Sequence, residues 1–258
     1  MICLIQTALE LACRAMRPAT VLAAILSGLL LAACSPNAEI SEKQNALQTH
    51  NGEMTMNAFN KEYFLILQPE DEDLPSLSPD EDTVAKPYQW EALPIGGKPL
   101  IFDNGAYDWQ RDRDIIPRDP PPDVLFDSGD PVVIDRIADA LRDWEIPNLA
   151  IQPAIYIDHK DDWHENYWFL TFTKMFDCWD RNESKYDPKP MTDPLRYFVD
   201  VYSLNEGLLQ KTPLAERRLF QMGGTSSGLV VAHQSIVDLF RVEGVDIVLI
   251  TDYGVNYP

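Results

Sequence analysis

The sequence predicts an α+β fold, with a mixed or mainly antiparallel sheet and two or more packed helices. Three observations carry that expectation. Short apolar runs of strand length recur between turn-forming residues, as at Glu62–Leu67 and Tyr167–Thr173. Two stretches place apolar residues at helical spacing, Ile134, Ile137, Ala138 and Leu141 in one and Ile236, Leu239 and Phe240 in the other. Finally, the chain beyond its N-terminal region is long enough for one domain with a proper core, and an aromatic content of 10% supports burial.

Taken in order, Glu62–Leu67 reads as a short buried strand. An acidic, proline-rich stretch follows through Asp71, Glu72, Asp73, Pro75, Pro79 and Glu81 and reads as a mobile loop. Pro99–Phe102 is a candidate strand, and the prolines from Pro117 to Pro122 force extended, irregular chain. Asp130-Pro131 has the form of an N-cap followed by proline in the first turn, so the first helix is expected to start there. Further strands are expected at Ala154–Ile157, Tyr167–Thr173, Arg196–Tyr202, Arg218–Gln221 and Leu229–Ala232. A second helix is expected from about Gln234, stopped by Gly244, with a closing strand at Val245–Ile250. Val132-Val133 leads into the first helix as Val230-Val231 leads into the second, which suggests an internal strand-helix-strand repeat. Any two amphipathic helices preceded by valines would match about as well.

The N-terminus has a different character. Val21–Ala33 is an uncharged apolar run preceded by Arg14 and Arg17, the length of a signal-peptide core and too short to span a bilayer. It ends in Leu31-Ala32-Ala33-Cys34, which resembles the lipobox of bacterial lipoproteins. That resemblance implies cleavage after Ala33 and a lipid on Cys34. Ser35 follows instead of the aspartate that retains lipoproteins at the inner membrane, so an outer-membrane location in the cell envelope is expected. Met16 is an alternative start, because Cys3, Glu10 and Cys13 make an unusual lead-in. The expected organisation is a signal peptide at 1–33, a polar tether at 34–58 and one globular domain at 59–258.

Charge and cysteine content narrow the classes. The formal net charge is −20, and loss of residues 1–33, with Glu10, Arg14 and Arg17, makes the remainder one unit more negative. Binding to nucleic acid or to an anionic membrane surface is disfavoured. Such charge suits a basic partner, and it equally suits simple solubility. Of the four cysteines only Cys178 lies in the domain, so no internal disulfide framework is available to it.

Three clusters invite a catalytic reading. Gly224-Thr225-Ser226-Ser227-Gly228 satisfies the G-x-S-x-G pattern, but a nucleophile elbow needs a strand running into a helix at the serine. Here valines of strand character follow, and a hairpin loop is the better reading. Asp158–Glu165 concentrates two histidines and four carboxylates in eight residues. Its spacing is not that of helical zinc hydrolases, so a solvated loop is favoured over a metal site. Asp177–Asp187 combines a lone thiol with acids and a serine but has no adjacent histidine to activate the thiol, which favours a turn with Cys178 packed as a small hydrophobe.

At this third cluster a family resemblance emerges. Tyr167-Trp168, then Phe176-Asp177-Cys178-Trp179-Asp180, then Ser184-Lys185-Tyr186, resemble a domain of bacterial immunity proteins, immunity family eleven, the myxobacterial type. The likeness continues through Leu219–Gln221, Leu229–His233 and Ile236–Phe240 to Gly244-Val245, spanning about residues 120–250. It implies a protein that binds and neutralises a cognate secreted toxin by occlusion, without catalytic residues, metal or cofactor. Asp177, Cys178, Asp180, Ser184 and Tyr186 are then structural motif residues. Many members of that family have no signal peptide, so a lipid anchor would redirect the role to toxins acting in the envelope. The expected partner-binding residues are Asp161, Asp162, Trp163 and His164 on one loop and Asp71, Glu72 and Asp73 on another, because exposed aromatics and acids suit a binding rim. The competing classes are an envelope metal-dependent hydrolase using the 158–165 cluster and a structural outer-membrane lipoprotein.

Overall fold

Strands that carry large apolar side chains at both alternating positions need cover on both faces of their sheet, and that requirement organises the domain. The computed structural model describes residues 57–191 and 196–254. The expected signal peptide, the Cys34 anchor and residues 35–56 of the tether lie outside the described residues.

The chain runs through β1 (Tyr63–Leu67), β2 (Leu77–Pro79), α1 (Glu81–Val84), β3 (Leu100–Asn104), α2 (Tyr107–Arg111), β4 (Val124–Asp127) and β5 (Asp130–Ile134). It continues with α3 (Asp135–Asp143), β6 (Leu149–Ile157), β7 (Trp163–Phe172), β8 (Lys185–Tyr186), β9 (Val199–Val201) and α4 (Glu206–Lys211). The last strands are β10 (Leu219–Gln221), β11 (Val230–His233) and β12 (Asp246–Leu249), with 3-10 turns at Ala58–Lys61, Leu214–Glu216 and Val237–Phe240. The fold is α+β. A six-stranded sheet has the order β2-β3-β6-β7-β5-β4, a four-stranded sheet the order β10-β11-β1-β12, and β8 pairs with β9. Within the two large sheets only the β3–β6 pair is parallel.

Three apolar clusters cover the faces of these sheets. The central one unites both sheets: Ile66, Leu219 and Val230 come from the small sheet, Val133, Leu170 and Phe172 from the large one. Ile137, Ala138 and Leu141 of α3, and Val237 and Phe240 of the last 3-10 turn, complete it. The alternation within each strand then feeds a second cluster on the other face. Tyr63 and Leu65 join Cys178, Trp179, Tyr202, Leu204 and Leu209, which cap the small sheet. Tyr167 and Phe169 join Leu77, Tyr88 and Phe102 on the far face of the large sheet. Antiparallel strands with one wet face alternate apolar and polar residues. β1, β5 and the second half of β7 do not, because both of their faces are covered, and each fully buried large side chain contributes about 1.5–3 kcal/mol.

Two expected helices need correction. Asp130-Pro131 opens a strand, not a helix: Ser128 (φ 53°) and Gly129 (φ 94°) form a two-residue hairpin turn, with Asp127 opposite Asp130. Pro131 sits where pairing with β7 has not begun, since that ladder starts at Val132, so its missing N–H costs nothing there. The helix starts five residues later, at Asp135, with Ile137, Ala138 and Leu141 buried as the periodicity requires. The second expected helix is only the 3-10 turn Val237–Phe240. Gly244 is where the stop was expected, at φ 82°, and a Cβ there would approach Pro122 to 3.0 Å.

The suggested strand-helix-strand repeat has a topological counterpart. In the large sheet the hairpin β4–β5 leads through α3 to β6, which lies parallel to β5 with β7 between them. In the small sheet the hairpin β10–β11 leads through the 3-10 turn to β12, which lies parallel to β11 with β1 between them. The central strand β7 follows its unit in sequence, whereas β1 precedes its own. The two units thus share one topology related by circular permutation.

Candidate functional site

The β6–β7 turn, residues 158–162, is built around one carboxylate. Asp158 Oδ1 accepts from the amides of Lys160 (2.8 Å) and Asp162 (3.1 Å), and Oδ2 lies 3.1 Å from His164 Nε2. The backbone closes with Asp161 N–H on the Asp158 carbonyl at 3.1 Å and Asp161 in the left-handed region at φ 64°. Burial pushes the Asp158 carboxyl up, but the His164 hydrogen bond and the two amides outweigh it and hold the group below the ordinary carboxylate value. The consequence is a preformed turn that leaves Asp161 and Asp162 exposed and Trp163 57% exposed. His164 does not join them, because its ring stacks on Tyr156 at 5.7 Å and 21° and serves the turn from within. Trp163, His164 and Glu165 belong to strand β7 itself, so the cluster is half turn and half strand where a loop was expected.

The second expected loop is tied to the first through Arg118 and Asp119. Arg118 donates from Nε and Nη2 to Asp73 at 3.0 and 2.8 Å, and its guanidinium also meets Asp71 at 3.8 Å and Glu243 at 3.0 Å. Its neighbour Asp119 pairs with Lys160 of the β6–β7 turn. Gln110 holds the same acidic segment by donating to the carbonyls of Glu72 (2.9 Å) and Leu74 (3.0 Å). The segment expected to be mobile is therefore pinned at several points; it contains β2 and runs into α1. One more acid approaches from the sheet: Asp103 of β3 has its carboxyl raised by burial and by the charges of Asp80 and Asp161. The product is an acidic rim running from Asp71 and Asp73 past Asp119 to Asp161 and Asp162, with Trp163 beside it. Asp80, Asp103 and Asp119 escaped the sequence reading, since nothing local marks them.

The motif residues behind the family resemblance hold structure. Arg181 grips Asp177 with two hydrogen bonds, of 2.5 and 2.6 Å, and lies 3.8 Å over the Trp179 ring. Gly223 and Gly224 let this pair approach: a Cβ on Gly223 would come 2.9 Å from the Asp177 amide nitrogen. Cys178 is fully buried against Met222, and burial pushes its thiol well above the ordinary value. Asp180 accepts from the Asn182 amide at 2.8 Å. Ser184 Oγ accepts from the Ser203 amide at 2.9 Å, and the Tyr186 ring meets the edges of Trp179 and Tyr197. Gly224–Gly228 lies in the β10–β11 connection, with Tyr197 N–H bonded to the Gly224 carbonyl and Ser226 N–H to the Tyr197 carbonyl. It leads into a strand, so the serines lack the elbow geometry of a hydrolase.

A second acidic turn was missed altogether. Asp127 and Asp130 flank the β4–β5 turn, both buried. Tyr88 donates to Asp127 at 2.6 Å, and Gln221 of the other sheet donates to Asp130 at 3.0 Å. Burial, then the charge of Asp127, pushes the Asp130 carboxyl up to about 7. The Asp-Ser-Gly-Asp pattern between apolar runs was a legible hairpin signal.

Among the described residues no three His, Cys, Asp or Glu side chains are grouped so as to hold a metal ion. No known family matches the chain, and no curated protein is detectably similar to it in sequence.

Proposed function

We propose that this protein is a membrane-anchored immunity protein, attached through Cys34 in the cell envelope, that neutralises a cationic secreted toxin by covering its working surface. The observation that carries this reading is the acidic rim with Trp163 at its edge, held in advance by Asp158. A binding surface gains affinity when its loops are ordered before the partner arrives. Here a single covered carboxylate orders the turn and leaves two acids and a tryptophan for contact. Tryptophan is among the residues enriched where binding energy is concentrated. The charge does a separate job: a net charge of −20 draws in a cationic partner and raises association rates by roughly 10–1,000-fold at low salt.

The test is co-expression with any secreted toxin that a neighbouring gene encodes, the toxin being directed to the envelope. Cells carrying the intact protein are expected to survive, and cells carrying the double variant Asp161→Lys, Asp162→Lys to lose protection while accumulating equal amounts of folded protein. Equal killing with and without the intact protein overturns the reading for that pair. The anchor has its own measurement: Cys34→Ala is expected to abolish fatty-acid labelling and release the protein from membranes, and continued attachment refutes the lipid assignment.

A further inference from the structure

β6 is longer than the partner on one of its sides. β7 pairs along its whole length, from Leu149 to Ile157, whereas β3 pairs only with Ala154–Ile157. The first half of β6 therefore has a free edge. Its polarity follows from the ladder: Thr173 N–H donates to the Asn148 carbonyl at 2.9 Å, so alternate residues Ala150 and Gln152 turn their main-chain groups towards β7. Leu149, Ile151 and Pro153 turn theirs away. Pro153 has no N–H to give, and no hydrogen bond to the outward amide or carbonyl of Ile151 is made by the described residues.

Beside this edge lies a groove of about 590 Å³, within the range that holds specific ligands. Its apolar walls are Leu93, Pro94, Ile95, Ile151, Pro153 and Trp168, with Ile95 wholly exposed. The segment 92–98 that forms its outer wall is fixed where the Leu93 amide donates to Gln152 Oε1 at 2.9 Å. The only charged residues lining it are Lys98 and Arg142. Each of these cations has its acid partner outside the lining. Arg142 stacks over Trp168 at 4.0 Å and pairs with Asp139, while Lys98 pairs with Asp82; these acids are 71% and 70% exposed. Exposed pairs of this kind are weak and exchange readily with water, so both cations can take up another anion.

We propose that this groove captures the extended, apolar C-terminal end of a polypeptide: one residue pairs with Ile151 as an added strand, apolar side chains fill the groove, and the terminal carboxylate meets Arg142. The main-chain edge calls for a peptide rather than a lipid, and the cationic lining calls for a free carboxylate. This is independent of the toxin-neutralising reading, since it uses neither the acidic rim nor Trp163.

The test is titration of the full chain with four N-acetylated hexapeptides of alternating Thr and one of Val, Leu, Ile or Phe, each as free acid and as C-terminal amide, and with dodecanoate. Binding is followed by calorimetry and by NMR shifts of the Ile151 amide and the Trp168 indole. At least one free acid is expected to bind with unit stoichiometry and shift both signals, its amide binding roughly tenfold more weakly for loss of a charged hydrogen bond. Arg142→Gln is expected to bring the free acid to the level of the amide. Ile151→Pro is expected to abolish binding of both, and if that variant does not fold, the Arg142→Gln arm decides. Binding by none of the peptides, equal binding of acid and amide, or binding of dodecanoate in their place overturns the proposal.

Discussion

The six-stranded sheet carries two acidic hairpin turns that have opposite electrostatic fates. In the β6–β7 turn, Asp158 is surrounded by donors: two backbone amides and the His164 ring. In the β4–β5 turn, Asp130 receives a single side-chain hydrogen bond, from the neutral Gln221, and faces the acid Asp127. One carboxyl is held low and the other is pushed up to about 7. Both turns use left-handed residues, but Asp130 is taken out of water far more deeply than Asp158, whose turn stays open to solvent at Asp161 and Asp162. Coverage and donors act together: Asp130 is deeply covered, short of donors and beside another acid, whereas Asp158 is lightly desolvated and bonded on both oxygens, and the comparison teaches that burial raises an acid unless donors outweigh it.

The largest effect is expected at Asp130. A carboxyl whose folded value is raised binds a proton more tightly in the native state than in the unfolded chain. Native stability therefore falls as pH rises from about 4, the unfolded value, towards about 7, and the loss is complete above that. The penalty approaches about 4 kcal/mol for a shift of this size. Asp130→Asn removes it, so the variant is expected to be more stable than the parent at pH 8 and to lose that advantage at pH 4, read by urea denaturation at each pH. A variant with the same advantage at both values would show that the Asp130 carboxyl is not raised on folding.

Asp158 works in the opposite sense. Its depressed value means that its contribution is present above the ordinary carboxylate value and is lost only as acid titrates through the lower, folded one. Asp158→Ala strips the turn of its acceptor and leaves two amides and the His164 ring without it. A cost of about 2–3 kcal/mol at pH 7 is expected, with faster hydrogen exchange at the amides of residues 160 and 162. A change under about 0.5 kcal/mol, the level of an ordinary surface substitution, would mean that the turn holds itself without the carboxylate.

How much of this was open to the sequence depended on range. β1 and the Tyr167–Phe172 half of β7 were legible because both of their faces are covered and their runs are nearly all apolar, whereas the polar, largely exposed start of β7 read as loop. The interior of α3 was legible from Ile137, Ala138 and Leu141, but its start was not, since Asp-Pro serves the first residues of a strand after a turn as well as those of a helix. α2 and α4 span five and six residues, too few for a period of 3.6 to register. The acids of the rim were visible one by one. Their assembly was not, because it passes through Arg118 to Asp73, 45 positions away, and through Asp119 to Lys160, 41 positions away. Composition could say that the protein is acidic; only the fold says which acids meet.

The smallest expected effect is the most discriminating one. Asp161 sits at φ 64°, a conformation that costs a residue with a Cβ of the order of 1 kcal/mol, less for Asp than for most. Among the described residues its side chain makes no hydrogen bond that would repay that cost. Backbone strain without local compensation motivates a search for function at the residue that bears it. Asp161→Gly relieves the backbone and deletes the carboxylate. If Asp161 is only a turn residue, the variant is slightly more stable, by about 0.5 kcal/mol, and on the proposed function protects cells no less than the parent. If it belongs to a binding rim, the same gain in stability comes with a slower association rate for the proposed cationic partner, most marked at low salt. Measuring melting temperature and association rate on the one variant separates the two, because a structural residue changes the first alone. Asp161→Gly that left the rate untouched at every salt concentration would remove this turn from the binding surface and leave Asp71, Asp73 and Asp119 to carry it.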